Sequence, residues 1–325
     1  MHQKKIVIGI TGAAGFIGSH LSIALINEGY KVVGIDNLSK GSLSNLREIN
    51  GNPLFSFHKM DVTKFALSKV LKRTNVIVHL AAAKIPRYGD RLSTLLINTK
   101  GTENILEIAK KNKAKVIFAS TSDVYGKNPK LPFNEESDLV LGSSEVGRWA
   151  YAVSKIFDEH LIFAYNEKHN VPFVIIRFFG IYGPRQHRSW WGGPQSVFID
   201  ALLANEPIEI HGTGKQKRSF LYIDDAINAI GLIIKSKKAQ NQIINVGSHH
   251  EVSINELANM IAKMLNRKLR VKKVNYNTFT GKKYEDVQRR VPDIGKAKII
   301  LDWTPKYSIK EGLKKTIEWY KNNPA

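Results

Sequence analysis

The chain has 325 residues, no Cys, and 49 Lys and Arg against 28 Asp and Glu, for a net charge of +21. The lack of Cys excludes disulfide scaffolds, Cys-ligated zinc, iron–sulfur clusters and thiol nucleophiles. A balance of 43% hydrophobic and 24% charged residues excludes a disordered or collagen-like chain, and the length suits about two domains.

Along the chain, short β-branched runs alternate with helical patterns. Lys5–Ile10 reads as an apolar strand and Gly15–Asn27 as a helix with Ile17, Leu21, Ala24 and Leu25 on one side. Lys31–Ile35 is the next strand, ending at Asp36. Phe55–Lys59, Val76–His79 and Lys115–Ala119 follow, with helices between them, then a long helix over Tyr151–His169 and a strand over Pro172–Phe178. Such βαβα alternation predicts an α/β fold with a parallel sheet covered on both faces. After Gly180 the texture changes to short mixed elements rich in Gly and Pro. Two later helices open on capping boxes, Ser253 with Glu256 and Ser308 with Glu311. The division expected is a cofactor domain over 1–180 and a smaller, mixed α/β substrate domain over 181–325, with some of the chain crossing back and no flexible linker.

No apolar stretch approaches the ~18 residues that would span a bilayer. The N-terminus runs from a short apolar segment straight into a Gly-rich turn, unlike a signal peptide. A cytoplasmic protein without a membrane partner is expected. The basic residues are dispersed with no aromatic interleaving, so they read as a solvated surface able to attract a small anion, and no nucleic-acid partner is expected.

Two motifs carry chemistry. Gly12-Ala-Ala-Gly15-Phe-Ile-Gly18 follows a strand and opens a helix, which lets backbone amides and the helix N-terminus approach a pyrophosphate. Asp36, at the end of the next strand, can accept hydrogen bonds from a ribose and would repel a 2′-phosphate, which selects NAD over NADP. Asp61, after another strand, is a candidate adenine contact. The second motif is Tyr151-Ala-Val-Ser-Lys155, whose Tyr and Lys share one helical face. A nearby ammonium favours the phenolate that a Tyr base requires. A Tyr-x-x-x-Lys pair alone is a common surface feature. With Ser120-Thr121-Ser122-Asp123 after a strand and the Gly-rich turn, it reads as a base.

Together these motifs resemble the extended short-chain dehydrogenase/reductase superfamily, in its nucleotide-sugar epimerase/dehydratase branch. The residues that carry the resemblance are Thr11–Leu21, His79–Ala82, Asn98–Thr102, Ser120–Gly126 (STSDVYG), Tyr151 with Lys155, Arg177–Arg185 (RFFGIYGPR), Gly212–Asp225, and Arg290–Asp293 followed by Leu301–Trp303. The fold implied is a Rossmann-type doubly wound sheet, and the cofactor implied is NAD, with no metal. To the cofactor the resemblance assigns Gly12, Gly15, Phe16, Ile17, Gly18, Asp36, Asn37, Asp61, Val62, Leu80, Ala81, Ala82 and Asn98, besides Tyr151 and Lys155. It implies that Tyr151 removes the proton of a sugar 4-hydroxyl, that Lys155 lowers its pKa and binds the nicotinamide ribose, and that Thr121 bonds the same hydroxyl while hydride leaves C4.

The resemblance further implies a nucleotide-diphosphate sugar, UDP-linked, as substrate. Arg218 and Arg290 would hold the diphosphate, His211 and Gly212 would frame the base, Lys84 and Arg87 would contact the sugar, and Ser122, Gln195 and Val197 would also bind the substrate. C4 epimerisation is the leading outcome. Decarboxylation of a UDP-uronate and 4,6-dehydration are the alternatives, and a non-catalytic NAD-binding regulator is a remote one. Asp123, one methylene shorter than the Glu of decarboxylases, is the ambiguous member of the catalytic set. Gly180 stands where many relatives have a phosphate-binding Asn, and Trp190-Trp191 could stack on a sugar or base. A homodimer is expected through segments 92–112 and 150–169, with Phe157, Leu161 and Tyr165 as its apolar face.

Overall fold

In the computed structural model, which describes residues 6–84, 90–275 and 285–324, the first strand β1 (Val7–Thr11) leads through the glycine turn into α1 (Phe16–Asn27). Next come β2 (Lys31–Asp36), β3 (Phe55–Lys59), a short α2 (Leu67–Val70), β4 (Val76–His79), α3 (Arg91–Asn112), β5 (Lys115–Thr121), α4 (Trp149–His169) and β6 (Phe173–Phe178). Asp90 opens α3 by accepting from the amides of Leu92 and Ser93. β1 and β2 are apolar on both faces because helices cover the sheet from both sides.

The second half contributes β7 (Ile181–Tyr182), α5 (Pro194–Leu203), β8 (Ile208–His211), β9 (Lys217–Ser219), β10 (Leu221–Tyr222) and α6 (Ile223–Lys235). It continues with β11 (Gln242–Val246), β12 (Glu251–Ser253), α7 (Ile254–Met264), β13 (Val271–Val274), β14 (Arg289–Arg290), α8 (Gly295–Leu301) and α9 (Ile309–Asn322). Both predicted capping boxes form. The Ser253 hydroxyl accepts from the Glu256 amide while the Glu256 carboxylate accepts from the Ser253 amide, and Ser308 with Glu311 does the same.

The main sheet has seven parallel strands in the order β11-β6-β5-β4-β1-β2-β3. The order reverses between β1 and β4. A crevice therefore opens at their carboxyl ends, where a Rossmann fold binds its ligand. The seventh strand, β11, comes from the C-terminal half. Helix α6 packs its Ala226, Ala229, Ile230 and Ile233 into the same core as Leu21 and Leu25 of α1. α3 and α4 cover the other face. A third core joins α5, α7 and α9 to β8. Short pairings, β8 with β13 and β9 with β12 and β14, bring the C-terminal chain back over the carboxyl end of the sheet. Among the described residues no helix is long and apolar enough to cross a membrane, and no cluster of acidic, His or Cys side chains could hold a metal ion.

Candidate active site

At the end of β1, Gly12 takes φ +72°, and its carbonyl turns back under α1. A Cβ on Gly18 would lie 2.1 Å from the Gly12 oxygen, so the turn and the first helical turn touch backbone to backbone. No side chain caps α1, which leaves its first amides to a ligand. The buried Asp36 accepts from the Ala14 amide (3.0 Å) and the Leu38 amide (2.8 Å), tying β2 to the turn. Burial pushes its pKa up against the pull of those amides. The Asn37 amide donates to Asp61 (2.9 Å), and Val62 is buried behind them. At the end of β4, Leu80 and Ala82 line the cleft, and the Ala81 amide donates to Thr11 Oγ1 (3.2 Å).

Asn98 is buried behind the loop that follows β4. Its amide oxygen accepts from the Ala83 amide (2.7 Å), and its nitrogen donates to the Ala83 carbonyl (3.1 Å) and Ser154 Oγ (2.9 Å). It clamps the loop after β4 to α3 and α4, so it shapes the cofactor crevice from behind.

A cleft of about 400 Å³ runs from Phe16 and Ile17 of α1 across Thr121, Ser122 and Tyr151 to the C-terminal segments. Thr121 Oγ1 accepts from the Asp123 amide (3.2 Å), turning the chain after β5 so that residues 121–123 face the cleft. Lys155 is buried one helical turn behind Tyr151, its ammonium 4.3 Å from the Phe118 ring centroid. Burial pulls the Lys155 pKa down to about 8. The phenol of Tyr151 moves the other way. Its pKa is raised, first by burial and then by Asp123 and Asp158, against the hydrogen bond from Thr121 and the charge of Arg290. Dry surroundings disfavour the phenolate, and positive charge brought beside it favours it.

The opposite wall is ionic. Asp123 pairs with Arg290 and, at 3.4 Å, with Arg148. Arg148 also reaches Asp286 (3.5 Å) and stacks 4.7 Å over Trp149. Arg218 pairs with the same Asp286 at 2.8 Å. Cation and carboxylate thus alternate from Arg290 through Asp123, Arg148 and Asp286 to Arg218. Arg148 and Asp286 were missed in the sequence. Arg148 sits three residues before Tyr151, a position the helical spacing could have flagged. Asp286 lies in a charged run that carries no motif.

His211 and Gln195 also line the cleft, where Trp190 stacks on His211 with centroids 4.2 Å apart. Val197 does not reach the cleft. Two residues along α5 from Gln195, it turns into the third core. Lys84 lines the cleft and donates to the Trp191 carbonyl (3.1 Å). Arg87 lies outside the described residues. Gly180 has φ +39°, and a Cβ there would lie 2.2 Å from the Ser219 oxygen, so the close pass of β9 leaves no room for Asn.

The chain matches the family model described as GDP-mannose 4,6 dehydratase over residues 10–316. It is 37% identical, over 96% of its length and 97% of the relative, to the UDP-N-acetyl-alpha-D-glucosaminuronate decarboxylase of Bacillus cytotoxicus. Among solved structures it superposes on UDP-glucuronic acid 4-epimerase from Bacillus cereus in complex with UDP-glucuronic acid and NAD. There the TM-score is 0.88 at 31% identity, covering 98% of this chain and 99% of that one. UDP-glucose 4-epimerase of Thermotoga maritima with UDP-glucose gives the same TM-score, 0.88, at 28% identity and 98% and 100% coverage. The protein belongs to the NAD-dependent nucleotide-sugar epimerase/dehydratase family.

This enzyme's first wall fits NAD: the Gly12–Gly18 cradle admits no side chain, the first turn of α1 is uncapped, and Asp36 ends β2 beside it. NAD, when bound, takes up a hydride. Around it, Tyr151 and Thr121 are the groups that can move a proton at a sugar hydroxyl, and Lys155 supplies positive charge behind them.

Proposed function

We propose that this enzyme oxidises C4 of a UDP-linked hexuronate and releases the C6 carboxyl as CO₂. Residues 1–180 would hold the cofactor and residues 181–325 the nucleotide sugar, with β11, α6 and α8 crossing back. Tyr151 takes the 4-hydroxyl proton as hydride leaves C4. The C6 carboxylate then stands β to a ketone, and its bond to C5 breaks to give CO₂ and an enolate. Tyr151 and Thr121 donate to the enolate oxygen. C5 takes up a proton, and the hydride returns to C4, so the redox balance closes.

The observation that carries this reading is Asp123 between Arg290 and Arg148. Two guanidiniums at the Tyr151 end of the cleft suit a planar carboxylate. Decarboxylation also needs a proton from solvent brought to C5, a step epimerisation does not need. The Bacillus cytotoxicus relative, named as a decarboxylase of a UDP-linked uronate, supports it.

The second reading is 4-epimerisation, which sequence motifs alone put first. Two observations favour it: the short reach of Asp123, and the likeness to a 4-epimerase bound to UDP-glucuronic acid. One experiment separates the two. The enzyme is incubated in D₂O with UDP-glucuronate, UDP-N-acetylglucosaminuronate, UDP-glucose and UDP-N-acetylglucosamine, and products are followed by NMR. The expected result is CO₂ with a UDP-pentose carrying deuterium at C5, from a uronate only. A C4-inverted hexose with no CO₂ and no deuterium at C5 would overturn decarboxylation and establish the second reading.

We also propose a homodimer formed by α3 and α4. Leu92 and Leu96 on α3 are 61% and 57% exposed, and Val153 and Phe157 on the adjoining α4 are 44% and 52% exposed. Of the three positions expected from sequence, only Phe157 faces outward. Leu161 and Tyr165 pack against the protein's own core, and the Tyr165 hydroxyl donates to Glu107 (2.8 Å).

A further inference from the structure

Helix α4 carries two buried carboxylates in succession behind Tyr151, Asp158 and Glu159. Glu159 is accounted for: Arg177 on β6 donates to it at 3.1 and 2.6 Å and Ser120 Oγ at 2.5 Å. Asp158 is not. It is 0% exposed, no hydrogen bond of ordinary geometry reaches either carboxylate oxygen, and the one side-chain donor facing it is the Thr102 hydroxyl of α3. An ionised carboxylate buried without donors is costly, so a use for its charge has to be sought.

Charge balance supplies one. The buried layer holds two cations, Lys155 and Arg177, and two carboxylates, Asp158 and Glu159. Glu159 matches Arg177. His79 on β4 contributes no charge, because burial, with Lys155 nearby, pushes its pKa down to about 3. That leaves Asp158 as the anion for Lys155, three residues away on the same helical face.

We propose that Asp158 is the counter-ion of Lys155, a positioning residue that keeps the lysine a cation while Tyr151 acts as the base. The proposal rests on the roles given above to Tyr151 and Lys155. Burial lowers Lys155 to about 8, and Asp158 and Glu159 act against that fall. Burial raises Asp158 to about 6, opposed by Lys155 and Thr102 and reinforced by Glu159. Between those two values both members of the pair are ionised. The other ionisable groups nearby are Tyr151 on α4, which Asp158 acts on directly, and Asp123 from the turn after β5, which acts on Tyr151. Removing the carboxylate removes a force that holds Lys155 up, so the lysine loses its proton at lower pH.

The test is D158N, which keeps the size of the side chain, measured with the UDP-sugar that the wild type turns over. The alkaline limb of the kcat profile should move to lower pH by about one unit, and kcat at pH 8 should fall about tenfold, with KM for the sugar nucleotide little changed. The melting temperature should stay level or rise, since a buried charge is gone. In a double-mutant cycle, K155M and K155M/D158N should be equally slow. An unmoved profile with unchanged kcat overturns the proposal. So does a fall in melting temperature that parallels the loss of kcat, which is what a packing role predicts, and so do losses that multiply in the cycle. Full activity of Y151F would instead overturn the catalytic reading underneath. An inactive Y151F beside an unaffected D158N overturns this proposal alone.

Discussion

Around the glycine turn and the buried face of α4, functional groups are held by burial and backbone; where the turn after β5 and the start of α4 meet the C-terminal segments, they are held by one another. Asp36 hangs on two amides, Gly18 touches the Gly12 carbonyl, and Lys155 is enclosed against Phe118. Across the cleft, Arg290, Asp123, Arg148, Asp286 and Arg218 form one chain of ion pairs with side chains 10% to 28% exposed. Dry surroundings move the pKa of Tyr151 and Lys155 strongly, which suits proton transfer. Partly solvated ion pairs can exchange partners at small cost, which suits an anionic substrate that must enter and leave. On the function proposed above, the C4 chemistry would sit on the rigid wall and the groups that meet the anionic substrate on the adaptable one.

Tyr151→Phe attacks the rigid wall directly and should have the largest effect. Turnover should drop by roughly 10²–10⁴-fold, with melting temperature and NAD binding retained. Near-normal turnover would show that the dry wall does not supply the base. Arg290→Gln attacks the adaptable wall. It leaves Asp123 with Arg148 and takes one guanidinium from an incoming uronate, at a cost of about 2–5 kcal/mol in kcat/KM. The loss should be carried by KM more than by kcat, and should be smaller for a UDP-hexose than for a UDP-uronate. Equal losses for both would mean that Arg290 serves the diphosphate, as the sequence motifs imply.

A smaller effect is expected at the edge of the rigid wall. Asp36→Ala should narrow the preference for NAD over NADP, measured as a ratio of dissociation constants, because the repulsion of a 2′-phosphate is lost. If the wild type bound NADPH as tightly as NADH, Asp36 would not be the selecting group. The smallest effect on chemistry is expected outside the cleft. Leu96→Lys together with Phe157→Lys should convert a dimer to a monomer by light scattering at micromolar concentration while kcat changes little. A wild-type monomer under those conditions would end the dimer proposal.

Much of the rigid wall was legible in the sequence because local rules govern it. The Gly12–Gly18 turn, the acid ending β2 and the Tyr-Lys spacing on α4 are each decided within one supersecondary unit. The ionic wall was only half legible. Arg218 and Arg290 stand in motifs, but Asp286 meets Arg218 because β14 lies beside β9, a pairing between residues about seventy apart, and Arg148, just ahead of α4, joins them only where that strand crosses the start of the helix. Val197 fell on the wrong side for a related reason: α5 shows Gln195 to the cleft and Val197 to the third core, and which face is which follows from what α5 packs against.

By itself the sequence determined the alternation of strands and helices, both capping boxes, the glycine turn and the Tyr-Lys spacing on α4, because periodicity, glycine and helical spacing act over a few residues. Only the tertiary structure decided three other features. β11 returns from the C-terminal half to edge the first sheet. Gly180 is required by the close pass of β9. Asp123 lies between a guanidinium from just ahead of α4 and one from β14. Each depends on segments far apart in sequence meeting in space, where burial and charge pairing, and no local rule, choose the partner.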